Sequence, residues 1–134
     1  MAIYVDSSAL VKRYLREPEA DEARSLLIAE PVWVSARHTF VETSRVLSLG
    51  VAVRHRTKIL DAFRRDWRRI HVVELDATTC DRAADLALTT GVRTMDALHL
   101  AAAHRAGGSA LPFLTYDQRQ ARAARALGWT VLGV

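Results

Sequence analysis

The chain has 134 residues, half of them hydrophobic and a quarter charged, which is the balance of one folded domain and excludes a disordered or fibrous chain. Its formal net charge is +4 with histidine neutral, and no apolar run approaches the ~18 residues of a membrane span. The single cysteine, Cys80, excludes an internal disulfide framework.

Taken in order, Ile3-Tyr4-Val5 reads as a short strand, and its unbroken apolar character implies burial on both faces. Asp6 closes that strand, and a helical pattern follows from Ser7 to Arg16. Pro18 stands at the expected start of a second helix that ends near Ala29, with Glu19, Asp21 and Glu22 in its first turn. Val32 to Val34 is a second strand, and Ala36 to Leu49 a helix with Gly50 as its C′ residue. A strongly basic helix spans Val53 to Arg69, and His71 to Leu75 is a third strand. Helices return at Thr78 to Thr89 and Thr94 to Ala106, closed by Gly107-Gly108. Pro112 to Tyr116 is a fourth strand, Gln118 to Leu127 a helix, and Trp129 to Leu132 a last strand. Alternating strands and helices predict a single domain over residues 1–134: a three-layer α/β/α sandwich with a mainly parallel five-stranded sheet.

Parallel topology dictates where the acids go. Asp6 follows strand one and Asp117 follows strand four, so both lie at the carboxyl edge of the sheet, where open α/β sheets place ligands. Glu42 sits in the first half of the helix leaving strand two. Asp96 sits in the opening turn of the helix that descends into strand four. A switch in strand order between strands one and four would bring all four together. Four carboxylates in one cleft repel one another, and a hard divalent cation such as Mg²⁺ or Mn²⁺ relieves that repulsion while leaving coordination positions for a phosphate. Each acid also has a plainer reading. Asp6 and Asp117 suit helix N-caps, and Gln120 stands where a capping box places its partner. Asp96 suits a first-turn acid behind a Thr94 cap, and Glu42 suits a helical pair with His38 or Arg45.

Two of the 19 basic residues are lysines, Lys12 and Lys58, which leaves 17 arginines. Arginine's planar fork suits phosphate, although codon usage in a GC-rich genome gives the same composition. On the basic helix, Arg54, Arg56, Lys58, Arg64, Arg65, Arg68 and Arg69 fit an RNA backbone or a solvated face, the latter for most of them. Ile59, Leu60, Phe63 and Trp67 fit the core or a dimer contact. His99, one turn beyond Asp96, fits either a residue that orients a ligand or a buried structural histidine. The amino terminus has no basic n-region and reaches Asp6 before an apolar stretch forms, so the expectation is no signal peptide and a reducing, cytoplasmic setting.

Ile3-Tyr4-Val5-Asp6-Ser7-Ser8-Ala9-Leu10, a helical Glu42, Thr94-Met95-Asp96-Ala97-Leu98-His99-Leu100-Ala101 and Leu114-Thr115-Tyr116-Asp117 together resemble the motifs of PIN-domain ribonucleases. The closest resemblance is to the VapC toxins of bacterial toxin–antitoxin pairs, over essentially the whole chain. The resemblance implies a Mg²⁺- or Mn²⁺-dependent endoribonuclease, often a homodimer, held inactive by a cognate VapB-like antitoxin. It makes Asp6, Glu42, Asp96 and Asp117 the acidic quartet, with Asp6 and Asp96 as direct metal ligands, and gives the Thr115 hydroxyl a supporting role. A competing expectation is a catalytically silent PIN fold acting through its antitoxin or another partner. A receiver-type phosphoacceptor is set aside, because Ser7 and Ser8 replace a second acid and no lysine follows the last strand. No glycine-rich phosphate loop indicates a nucleotide cofactor.

Overall fold

Strand β1 (Ala2–Val5) sends its side chains alternately into two helical layers, which is why it carries no charged residue. Tyr4 packs in one core with Phe113, Leu100 and Ala101. Ile3 and Val5 pack in the other with Leu10, Leu27, Leu47 and Phe63. The computed structural model describes every residue, Met1–Val134. The remaining strands are β2 (Val32–Ala36), β3 (His71–Val73), β4 (Phe113–Thr115) and β5 (Val131–Gly133). All five pair in parallel, in the order β3-β2-β1-β4-β5.

The helices are α1 (Ser7–Leu10), α2 (Ala20–Ala29), α3 (Arg37–Gly50), α4 (Val53–Trp67), α5 (Ala77–Thr90), α6 (Thr94–Ala106) and α7 (Gln118–Ala126). Helices α1 to α4 build the core on one face of the sheet; α5 and α6 build the other, with Ala123 and Ala124 of α7 joining it. The expected sandwich is therefore borne out, and its sheet is wholly parallel. None of the helices is long and apolar enough to cross a membrane.

Local differences from the sequence expectations have physical causes. The first helix stops early: α1 passes into a 3-10 turn at Val11–Arg13 instead of running on to Arg16. Lys12 is buried, and its ammonium donates to the Pro18 carbonyl at 2.7 Å and pairs with Glu17 at 3.2 Å and Glu19 at 3.3 Å. That clamp folds the chain back on itself. Glu19 takes a left-handed φ of 62°, so α2 begins at Ala20 and not at Pro18. On α4, Phe63 and Trp67 are buried in the core while Arg64 and Arg65, with Arg68 and Arg69 just past its end, stay exposed, the solvated face expected for most of the basic residues.

Strand order positions the site. The chain runs outward from β1 to β2 and β3, then crosses to β4 on the opposite side of β1 and on to β5. The gap between the carboxyl ends of β1 and β4 is the topological switch point. Beside β4, at the same edge of the sheet, β5 ends at Gly133, at φ +103°, where an added Cβ would stand 2.2 Å from the Thr115 carbonyl oxygen. Gly133→Ala is therefore expected to cost about 2 kcal/mol or more in a urea melt. Unchanged stability would mean that the β4–β5 edge relaxes freely.

Candidate active site

Asp6 leaves β1 at the switch point and closes the first turn of α1. Its Oδ1 accepts the Ala9 amide at 3.0 Å and the Ser8 hydroxyl at 2.7 Å. Its Oδ2 accepts the Thr115 hydroxyl and the Gln120 amide, both at 2.7 Å, and shares Ser8 at 2.9 Å. Asp6 is only 3% exposed. Burial pushes its carboxyl above the ordinary value; His99 and the hydrogen bonds from Thr115, Ser8 and Ala9 pull it back without cancelling the shift. Thr115 in turn accepts the Asp117 amide at 3.0 Å, and Ser8 accepts the Tyr116 amide at 2.9 Å. The end of β1 and the turn after β4 are thus tied into one polar cluster.

Asp117 caps α7, with Oδ1 accepting the amides of Arg119 at 2.9 Å and Gln120 at 3.2 Å. The plainer reading of Asp6 and Asp117 as caps is correct, and it does not compete with the site reading. Gln120, buried to 1% exposure, gives its side chain to Asp6 and makes no capping box.

Asp96 lies in the first turn of α6, behind Arg93 at the N-cap position; neither Arg93 nor Thr94 caps the helix with its side chain. Burial raises the Asp96 carboxyl first and the charge of Asp117 next; His99 pulls it back in part, and Asp6 and Glu42 add smaller increases. No hydrogen bond helps to stabilise its charge. Four acids that lie far apart in the sequence therefore share one electrostatic neighbourhood.

Glu42 is held differently. Its Oε1 lies 2.7 Å from His99 Nε2, and His99 Nδ1 lies 2.8 Å from the buried Tyr4 hydroxyl. Burial would raise the Glu42 carboxyl, but the hydrogen bond and charge of His99, with His38, bring it below its ordinary value. An ionised carboxylate only accepts, so His99 Nε2 donates to Glu42. His38 stands 3.7 Å from the same oxygen, and its ring centroid is 4.1 Å from that of His99. Burial first, and then His99, lower His38 to about 4, so it is uncharged at neutral pH. The ligand atoms of His38, Glu42 and His99 lie within 4.8 Å of one another. His99 thus orients a site carboxylate while also serving as a buried structural histidine. Sequence reasoning gave no site role to Gln120, Ser8 or Tyr4, and met His38 only as a helical neighbour of Glu42.

The residues fit a hard cation. Asp96 offers an acid with no hydrogen bond, surrounded by like charge, and Asp117 uses one of its two oxygens as a cap. That donor set is oxygen only, as Mg²⁺ and Mn²⁺ prefer. Asp6 fits less freely, since four donors already surround its two oxygens. Rotation of the Ser8 hydroxyl, the donor shared by both, would release a lone pair.

The family described as PIN domain matches residues 3–126. The chain belongs to the PIN-domain family. Ribonuclease VapC46 of Mycobacterium tuberculosis strain H37Rv is 38% identical to this PIN domain over 132 residues, covering 98% of this chain and 96% of that protein. The fold is shared with VapC20 of Mycobacterium tuberculosis, described as a Sarcin-Ricin loop cleaving toxin, at a TM-score of 0.74 and 18% identity over 90% of this chain and 94% of the other. VapBC-5 from the same species, a member of the VapBC family of toxin–antitoxin systems, aligns at a TM-score of 0.64 and 21% identity over 99% of this chain and 98% of that one.

Proposed function

We propose that this PIN domain is a metal-dependent endoribonuclease that hydrolyses RNA phosphodiester bonds as the toxin of a toxin–antitoxin pair. The observation that carries the reading is Asp96, a half-buried carboxylate raised by burial and three neighbouring acids with no hydrogen bond to compensate it. Such an arrangement is costly in a folded protein unless a cation completes it. The VapC46 name and the arginine-rich surface support RNA as the polyanion.

In this reading Asp6, Glu42, Asp96 and Asp117 hold Mg²⁺ or Mn²⁺. The ion, when bound, lowers the pKa of water and neutralises charge on the phosphate under attack. Asp96 is the acid best placed to order the attacking water, because its oxygens are free of protein donors and its raised pKa suits accepting a proton. Asp117 shares that task through the oxygen it does not use as a cap. The Thr115 hydroxyl and Gln120 amide fix the direction of the Asp6 carboxylate, and His99, backed by Tyr4, fixes Glu42. No histidine or cysteine acts as a nucleophile.

The reading includes a cognate VapB-like antitoxin, a homodimer and a cytoplasmic setting. Val41 and Leu49 of α3, both 66% exposed, supply apolar surface for an assembly. Purified protein is expected to cut total cellular RNA in Mg²⁺ or Mn²⁺ and to stop on addition of excess EDTA; sequencing the new ends reads the target. Undiminished cleavage in EDTA would refute the metal mechanism. Full metal binding with intact RNA in every pool would favour the silent binding module.

A further inference from the structure

The α5–α6 turn and α7 border an open cavity of about 710 Å³. Its wall includes Thr89, Thr90, Arg93, Arg119, Arg122 and Leu127. Arg93 stands three residues before Asp96, and Arg119 two residues after Asp117. At no more than ~3.6 Å per residue, neither arginine's backbone lies far from an acid of the site. The ion pairs of the protein engage Lys12, Arg13, Arg24, Arg37, Arg64 and Arg105, and none engages Arg93, Arg119 or Arg122. All three are exposed. The hydroxyls of Thr89 and Thr90 already donate to backbone carbonyls of α5, at 2.9 and 2.6 Å, which leaves their oxygens as acceptors.

A cationic rim over a partly apolar floor is complementary to a nucleotide, whose phosphate is anionic and whose base presents a flat apolar face. The volume lies within the range of small-ligand sites, roughly 300–1,000 Å³. A free phosphate would use the rim and leave the floor empty. We propose that this cavity binds one nucleotide of single-stranded RNA beside the phosphodiester held at the carboxylates, with Arg93, Arg119 and Arg122 on its phosphate and the base against Leu127. The assignment rests on the nuclease reading and adds where the strand lies. The acids, once neutralised, take the bond to be cut, and the three guanidiniums take its neighbour, so the strand crosses from α6 to α7. Bidentate guanidinium–phosphate contacts would set its register.

The test is fluorescence anisotropy of a fluorescein-labelled pool of short single-stranded RNA with the Asp96→Asn protein, titrated across KCl concentrations. Arg119→Gln and Arg122→Gln are each expected to flatten the slope of log K against log[KCl] by about 0.7, the single-strand value for one phosphate contact. The triple variant with Arg93→Gln is expected to weaken low-salt binding by about tenfold or more. Arg64→Gln with Arg65→Gln, on the solvated face of α4, is expected to change affinity less than about twofold. Equal losses from the α4 pair, unchanged slopes in the cavity variants, or tighter binding of duplex DNA than of RNA would overturn the proposal. Because the exposed single variants each carry a predicted slope, loss of folding in the triple variant leaves the test intact. Wild-type cleavage in Mg²⁺ is scored separately: protein that binds RNA through these arginines and cuts none sinks the nuclease reading while leaving the nucleotide site standing.

Discussion

Asp96→Asn is expected to lower the rate of RNA cleavage by about 10³-fold or more while leaving the fold intact. The size follows from removing a metal-directed carboxylate, which withdraws several kcal/mol of charge stabilisation from the transition state. The intact fold follows from the surroundings of Asp96, whose carboxyl is raised above its ordinary value by burial first and then by the charges of Asp117, Asp6 and Glu42, with no hydrogen bond to support the ionised form. Removing that charge relieves repulsion, so the metal-free variant is expected to melt higher than the metal-free parent at neutral pH. The sign on pH follows in the same way. Asp96 and Asp6 both have folded-state carboxyls above their ordinary value, so the folded protein holds protons that the unfolded chain has released. Their contribution to stability is complete below the ordinary carboxylate range and is lost as pH rises through the raised values. Mn²⁺ reverses the loss by replacing the proton. At about 100-fold above its Kd it stabilises by about 2.7 kcal/mol, a rise of several degrees in Tm, and Asp96→Asn removes most of that rise. Differential scanning calorimetry with and without Mn²⁺ reads both effects. A variant that melts lower than the parent without metal, or cuts RNA at the parental rate, would remove Asp96 from the centre of the site.

Asp6→Ala is expected to behave differently, destroying cleavage and the stability of the domain together. Its carboxylate satisfies Ser8, Ala9, Thr115 and Gln120 at 2.7–3.0 Å. Truncation leaves the buried Gln120 amide and the buried Thr115 hydroxyl without their closest acceptor, and a helix start without its cap. Lost caps cost about 1 kcal/mol and buried unsatisfied donors about 1–3 kcal/mol each; with partial relaxation the sum is about 4 kcal/mol. Gln120→Leu removes a single donor from the same carboxylate and is expected to cost less. Urea melts of both variants measure the difference. If Asp6→Ala proved as stable as the parent, the cluster would be decoration on the fold and not part of its support.

Most of the fold was legible because strands buried on both faces leave unbroken apolar runs, and Ile3-Tyr4-Val5 is such a run. The acids were legible for a related reason: an acid directly after a parallel strand has one place to go. Gln120 was not. Three residues after Asp117 it matches the spacing of a capping box, and only the structure reveals that the Asp117 amide is already taken by the Thr115 hydroxyl at 3.0 Å. With its local partner engaged, the amide turns to Asp6, 114 positions away in the chain. The role of His38 was hidden in the same manner, since its neighbour His99 arrives from α6 across the sheet. The early end of α1 depends on the buried Lys12 clamp, whose acceptors at Glu17, Pro18 and Glu19 give no periodic signal.

The polar cluster around Asp6 has a consequence for when the protein becomes competent. The carboxylate at position 6 is separated from its partners Thr115 and Gln120 by 109 and 114 positions of chain. Until β4 has docked against β1, the set of acids is incomplete and nothing aims the first. Competence is thereby tied to the last long-range pairing of the sheet, so a partly folded chain carries no working site.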